Sequence, residues 1–457
     1  LAASQVTRVA SKENAQGASD TIVAGDGDNV IIGGQGGDTI TASNGSDIVA
    51  GDNADLNFTN GVLVSLDSTD ISDATGGVDT INLGDGYKRV IAGTGGDTVT
   101  TGSGVDHVIG DHGTLTYTTA GVLTEATSKL STKGGDDTVS LFDGATVVIA
   151  GAGTDSVTTT GNANDYVLGD SGVIRWDTAG IITSMSSADI ALGGNDIISL
   201  ADGAHWVIGG FGADQITGGE GADIVIGDNG TATFTVGVLT RIESTDLDDT
   251  TGGDDIIILG NGATDVIGGV GSDTIDTGTG TDRVLGDHGF ITYDTDGSIT
   301  EIRSTLTTLG AADTITLHDG ETAVIAGIGG DTVTTGEGDD YVLGDHGGII
   351  WDNDQVITQM ISESLEQGGD DIISLSNGDN WVVGGFGADS ITAGEGADIV
   401  IGDNGTATFT AGVLTRLEST DLDDTTGADD TIDLGNGYHR IIGGTGTDII
   451  TTDTGMD

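Results

Sequence analysis

A Gly-Asp mark recurs along the chain with its Asp at 52, 111, 170, 228, 287, 345 and 403, followed by x-Gly in every copy but the first. The spacings are 59, 59, 58, 59, 58 and 58, so seven repeats of about 58–59 residues and part of an eighth fill the 457 residues. A chain built this way must solve one packing problem many times, which predicts a stack of like modules rather than a mixed globular core. The expected boundaries are 1–15 for the end of a preceding repeat, then 16–74, 75–132, 133–191, 192–250, 251–308, 309–366 and 367–425, and a partial repeat 426–457.

Within each repeat a nine-residue period holds. Residues 75–119 divide as TGGVDTINL, GDGYKRVIA, GTGGDTVTT, GSGVDHVIG and DHGTLTYTT, and residues 367–411 divide likewise, with one extra residue near Thr160 breaking the register elsewhere. No segment keeps a 3.6-residue apolar period and Gly interrupts every candidate helix, so the whole chain reads as β. From the fifth nonapeptide two alternating apolar and polar arms flank a short turn, as in TATFT-VG-VLTRIES at 231–244. The turn pairs are Asn60-Gly61, Ala120-Gly121, Ala179-Gly180, Val236-Gly237, Asp296-Gly297 and Ala411-Gly412, with Asp354-Gln355 in one copy. Alternation around such pairs predicts a hairpin in every repeat.

Charge narrows the function. Seventy-four Asp and Glu face 12 Lys and Arg, a formal net charge of −62, with 83 Gly, no Pro and no Cys. Nucleic acid and anionic membrane surfaces would repel such a chain. Regular Val, Ile and Leu argue against an acidic disordered tail. The carboxylates call for a neutralising partner outside the sequence, and a divalent metal is the expectation. Disulfides are excluded, which does not fix the compartment. LAASQVTRVASKENAQ at the start lacks a basic region and an apolar region, so it is not a signal peptide. No apolar run reaches the roughly 20 residues of a membrane span, so a soluble chain is expected.

Asp occupies position five of every first nonapeptide (Asp20, Asp79, Asp137, Asp196, Asp255, Asp313, Asp371, Asp430) and of every third (Asp38, Asp97, Asp155, Asp214, Asp273, Asp331, Asp389, Asp448). It also occupies that position of the fourth: Asp47, Asp106, Asp165, Asp223, Asp282, Asp340, Asp398 and Asp457. The second never has it, carrying Asn29, Lys88, Thr146, His205, Thr264, Thr322, Asn380 and His439. Its second position is instead Asp or Asn: Asp26, Asp85, Asp143, Asp202, Asn261, Asp319, Asn377 and Asn436, a weaker ligand set because Asn suits a turn equally. The fifth nonapeptide opens with Asp52, Asp111, Asp170, Asp228, Asp287, Asp345 or Asp403.

This pattern resembles the RTX (repeats-in-toxin), haemolysin-type calcium-binding nonapeptide G-G-x-G-x-D-x-U-x, matched by AGTGGDTVT at 92–100 and GGFGADSIT at 384–392. The resemblance implies an elongated parallel β-roll, a β-solenoid with hairpin insertions, in which two nonapeptides complete a coil and the apolar U residue points inward. Equivalent residues of alternate nonapeptides, such as Asp79 and Asp97, then lie on adjacent coils of one edge. Gly lets a metal approach carbonyl oxygens, Asp supplies hard oxygen ligands, and Ca²⁺ takes six to eight of them. Two to three Ca²⁺ per repeat are expected, with Asp111 joining Asp97 in a second site and Asp85 joining Asp106 in a third on the opposite edge.

His112, His288 and His346 interchange with Asn53, Asn229, Asn404 and Ser171 and read as exposed turn residues. No H-E-x-x-H, G-x-S-x-G or G-x-x-x-x-G-K-[ST] occurs, so no enzyme is expected. Residues 228–250 nearly duplicate 403–425, and Trp176 and Trp206 recur as Trp351 and Trp381. That three-repeat period is either a duplicated block or a recurring contact face for a lateral partner, and the Trp residues are packing or contact aromatics. Neither end reads as a capping repeat, so a piece of a longer repetitive protein is expected. The resemblance implies export by type I secretion and folding in extracellular calcium. The expected role is a non-enzymatic structural region at a bacterial surface (adhesin stalk, sheath, surface layer or filament), with homotypic lateral or end-to-end assembly. The alternative is a calcium-dependent folding and secretion module of a larger secreted enzyme or toxin.

Overall fold

In the computed structural model, which describes residues 6–12, 16–70, 76–246, 248–421 and 427–455, each nonapeptide makes a Gly-rich turn and a short strand. Expected boundaries at 15/16, 74/75 and 425/426 touch residues outside that set, as does Asp457. Two compact bodies are present: Leu1–Gly219 with Thr231–Gly237, and Glu220–Gly230 with Val238–Asp457. Among the described residues there is no helix, and none that could cross a membrane.

Both bodies have the same three layers. In the repeat from 75, the first and third nonapeptides give Thr80–Leu83 and Thr98–Thr100, which pair in parallel with Val99 opposite Ile81. The second and fourth give Lys88–Ile91 and Asp106–Ile109 in a second parallel sheet, with Val108 opposite Val90. Coils therefore stack two nonapeptides apart inside a repeat. Across a repeat boundary the step lengthens, Val99 pairing with Val139 and Val108 with Val148. The extra residues make the hairpin, here Gly113–Tyr117 and Leu123–Ser128. Hairpins neither project nor join the coil; arm pairs to arm in a third, antiparallel sheet, Leu115 lying opposite both Leu66 and Ala126.

Burial follows from this order. The odd-nonapeptide sheet alternates, Val99 and Ile81 being buried while Thr98 and Thr80 stay partly accessible. The even-nonapeptide sheet is buried on both faces, as in Asp106–Ile109 and Thr146–Ile149, because the hairpin sheet covers its back. The U positions inside the stack are core residues (Ile40, Ile81, Val99, Val139, Ile275, Val333), each contributing roughly 1.5–3 kcal/mol of apolar burial, whereas Ile22 is half-buried and Ile450 exposed.

The hairpins fall into two kinds that follow the three-repeat period. At Asn60-Gly61, Val236-Gly237 and Ala411-Gly412 both residues have positive φ, which is the two-residue turn whose twist suits a hairpin. At Ala120-Gly121, Ala179-Gly180 and Asp296-Gly297 only the Gly does. Those pairs sit in longer loops closed by Thr118, Asp177 and Asp294, whose N–H groups donate to Val122, Ile181 and Ser298 carbonyls at 2.8 Å. The expectation of a two-residue turn at these three pairs is thus corrected. Thr118 and Asp177 also accept backbone N–H groups with their side chains, which stabilises the longer loop.

Candidate metal-binding edge

The turns from the even to the odd sheet, such as GTGGD at 93–97, carry the Asp of the first and third nonapeptides. These form a ladder. The N–H of Asp38 donates to Asp79 Oδ1 at 2.6 Å, that of Asp79 to Asp97 at 2.7 Å, and that of Asp97 to Asp137 at 2.7 Å. The first body contains Asp20, Asp38, Asp79, Asp97, Asp137, Asp155, Asp196 and Asp214 in one run. The second repeats it through Asp255, Asp273, Asp313, Asp331, Asp371, Asp389, Asp430 and Asp448. All but Asp20 and Asp448 are buried.

Oδ1 is used by the ladder, whereas Oδ2 is not. In Asp38, Asp79, Asp97, Asp137, Asp155, Asp196, Asp273, Asp313, Asp331, Asp371, Asp389 and Asp430 it is buried with no hydrogen-bond partner. It points at other oxygens. A Cβ on Gly51 would stand 2.2 Å from Asp79 Oδ2 and 2.4 Å from the Ala92 carbonyl, and one on Gly286 2.2 Å from Asp313 Oδ2 and 2.3 Å from the Ala326 carbonyl. A glycine is required there because any side chain would fill the space between carboxylate and carbonyl.

Burial raises these carboxyls first, and neighbouring carboxylates raise them further. Asp97 is pushed up to about 10 by desolvation and then by Asp137, Asp79 and Asp52. Asp79 and Asp430 rise to about 8, and Asp389 to about 7. A buried anion facing carbonyl oxygens needs a positive charge. Among the described residues no three His, Asp or Glu side chains converge on one point, so backbone carbonyls must complete any metal's ligand set. Calcium accepts that mixture of carboxylate and carbonyl oxygen, so the donors fit it.

The Gly-Asp residues play a different part. Asp111 accepts the N–H of Gly135 at 3.1 Å and of Ala152 at 2.5 Å; Asp170, Asp228, Asp287, Asp345 and Asp403 repeat this two-point brace. Asp52 accepts Thr94 N–H at 2.6 Å, and the backbone N–H of Gly77 also favours its charged form. The expected pairing is corrected here: Asp111 bonds Gly135 and Ala152 of the following repeat and is raised by burial and then by Asp137, while Asp97 bonds Asp79 and Asp137. The hairpin inserted after Asp111 carries the chain past one repeat boundary, which shifts its neighbours.

On the opposite edge Asp47, Asp106, Asp165, Asp282 and Asp340 have both carboxylate oxygens bonded by the protein. Asp106 accepts Lys88 N–H at 3.0 Å and Thr101 Oγ1 at 2.6 Å. Asp165 is bonded to Thr146 and Thr159, Asp282 to Thr264 and Thr277, and Asp340 to Thr322 and Thr335. Asp47 takes Asn29 and Lys88, and Asp398 faces Asn380 and His439; Asp223 is buried at the same position. Asp85 is exposed and accepts Ser103 N–H at 2.9 Å, so the expected pairing of Asp85 with Asp106 is not formed. Asp26 and Asp319 make the same bond to the equivalent turn of the next coil, as do Asn261, Asn377 and Asn436, which explains why Asn substitutes freely. Asp143 and Asp202 are likewise exposed.

One further expectation changes. His112, His288 and His346 are buried, not exposed, because they lie where the coil hands over to the hairpin. Burial lowers His288 and His346 to about 4, so both are neutral. Trp206 stacks on Tyr166 at 4.9 Å and Trp381 on Phe409 at 3.8 Å; Trp176 meets Tyr166 edge-on, and Trp351 is buried. They pack between the even sheet and the hairpins. Sequence reading missed Asp70, Asp246 and Asp421, which follow Asn53, Asn229 and Asn404 at one fixed spacing and bond to those side chains. Their signal was the same three-repeat period.

A family model described as RTX calcium-binding nonapeptide repeat (4 copies) matches residues 15–52, 89–114, 201–233, 258–289 and 376–408. The chain carries RTX calcium-binding nonapeptide repeats. Each matched segment includes rungs of the ladder or a Gly-Asp brace, and repeats of this kind are typical of proteins exported by type I secretion. A comparison with curated proteins returns no match.

Proposed function

We propose that this chain is a non-enzymatic, calcium-stabilised structural region of a secreted bacterial surface protein, of the adhesin-stalk, sheath, surface-layer or filament kind. The observation that carries the proposal is the row of buried Oδ2 atoms on the aspartate ladder, repeated in both bodies without a donor to satisfy them. A site that recurs coil after coil stabilises a scaffold; catalysis needs one differentiated centre.

Ladder aspartates and turn carbonyls would hold the ion, which supplies the positive charge that cancels their mutual repulsion. Asp Oδ1 fixes each rung to the N–H of the previous coil, so the residues are positioned by the fold they help to close. Before export, scarce calcium and a charge of −62 keep the chain open; outside, binding and folding become one event.

Circular dichroism near neutral pH tests this. The β signal should appear with millimolar calcium and collapse with excess EDTA, and an unchanged spectrum under chelation would remove the calcium role. Electron microscopy of the calcium-loaded protein tests the structural role, for which ordered assemblies or regular single particles are expected and irregular aggregates are not.

A further inference from the structure

The two edges of the roll carry Asp at the same nonapeptide position, yet their surroundings differ. On the ladder edge the partner two nonapeptides away is another Asp. On the opposite edge it is the fifth residue of the second nonapeptide, always a side chain able to donate a proton. Lys88 shows this most fully. Its ammonium, wholly buried, lies 2.8 Å from the Gly45 carbonyl, 3.1 Å from the Asp85 carbonyl and 2.7 Å from Asp47 Oδ2. A carboxylate oxygen beside a turn carbonyl is also what the ladder edge offers a metal. Here a lysine nitrogen takes that place.

Other repeats reach the same end with other donors. Asn29 Nδ2 donates to the Gly25 and Gly27 carbonyls at 3.1 and 2.8 Å and to Asp47 at 2.9 Å. His439 Nε2 donates to the Gly435 carbonyl at 3.0 Å, and its Nδ1, 3.1 Å from Asp398 Oδ2, pairs with that carboxylate when the ring is protonated. Where the residue is Thr146, Thr264 or Thr322, its hydroxyl bonds Oδ1 of the Asp, and a second Thr in the turn just before that Asp bonds Oδ2.

Building on the calcium reading, we propose that the fifth residue of the second nonapeptide decides which edge is metallated: calcium loads the Asp ladder alone, and the opposite edge is a metal-free seam closed by the chain's own donors. Lys88, Asn29 and the Thr and His residues at that position are positioning residues, each replacing an ion. The seam gives the roll one edge whose bonding does not depend on calcium.

The test counts bound calcium by native mass spectrometry and calorimetry on the full chain. D389N, on the ladder, should lower the count by about one ion, whereas D340N, on the seam, should leave it unchanged. K88D and T264D should each add about one ion, because they restore the paired carboxylates of the ladder edge. An equal loss from D389N and D340N overturns the proposal, as does a K88D or T264D protein that folds in calcium with the wild-type count. If K88D and T264D fail to fold, the D389N and D340N pair decides alone. A wild-type chain that binds no calcium would instead defeat the calcium reading itself, so the two failures are distinct.

Discussion

Raising the pH of the metal-free protein from about 5 to about 9 should unfold it, in the direction opposite to ordinary acid denaturation. Asp389, Asp79 and Asp430 have folded-state values of about 7, 8 and 8 against an ordinary 3.8, burial being the first cause in each. A group whose folded value is raised holds its proton in the fold and loses it in the unfolded chain. Its contribution is therefore present at low pH and lost as pH rises toward the folded value, here between about 4 and 8. For Asp389, a rise from 3.8 to about 7 corresponds to roughly 4 kcal/mol. Two such rungs acting independently would remove roughly 8 kcal/mol, as much as the whole stability of a typical domain. Calcium should reverse the trend, because it binds the ionised carboxylate and displaces the proton. The assay is thermal unfolding followed by circular dichroism on chelator-resin-treated protein across this range, with and without millimolar calcium. A calcium-free midpoint that is flat or rises between about pH 5 and 8 would refute the reasoning, since the buried ladder would then be ionised at no cost.

Asp170→Ala should destabilise the calcium-saturated protein by roughly 2–4 kcal/mol in urea titration, because the N–H groups of Gly194 and Phe211 lose their acceptor. Ile302→Ala, wholly buried in the hairpin sheet, should cost roughly 2–5 kcal/mol by the same assay with or without added calcium, wherever the protein is folded. Val236 is 83% exposed and holds φ at 53°, so Val236→Asn should stabilise by roughly 1 kcal/mol, raising the thermal midpoint.

Much of the fold is legible because the repeat imposes it. Gly at the turns, Asp at position five and an apolar residue two further on occur in most nonapeptides, and strands such as Thr98–Thr100 and Asp106–Ile109 fall where that period puts them. The hairpin arms are equally visible from their alternation. Their assembly into a sheet of their own is not, because pairing between Leu115 and Leu66 joins two different repeats and depends on how those repeats stack. Turn type was hidden for a related reason. Ala120-Gly121 and Ala411-Gly412 are the same dipeptide, yet only the second has both residues at positive φ, because the loop around Ala120 is closed by Thr118.

The site was legible as a set of aspartates and illegible as a choice between edges. Asp97 and Asp106 stand at the same position of consecutive nonapeptides, and the Gly turns that carry them do not separate them. The difference lies one coil away, where Asp97 meets Asp79 and Asp106 meets Lys88, and in Thr101, which caps one edge only. By residue name, position five of the second nonapeptide is irregular, running through Asn, Lys, Thr and His. Compared by chemistry it is uniform, since each of these side chains donates a proton and none carries a negative charge. A metal-bridged edge requires two acceptors in register; a seam requires an acceptor opposite a donor. The repeat can therefore switch a coil from one to the other by changing a single residue, without disturbing the Gly turns or the apolar core that hold both edges in place.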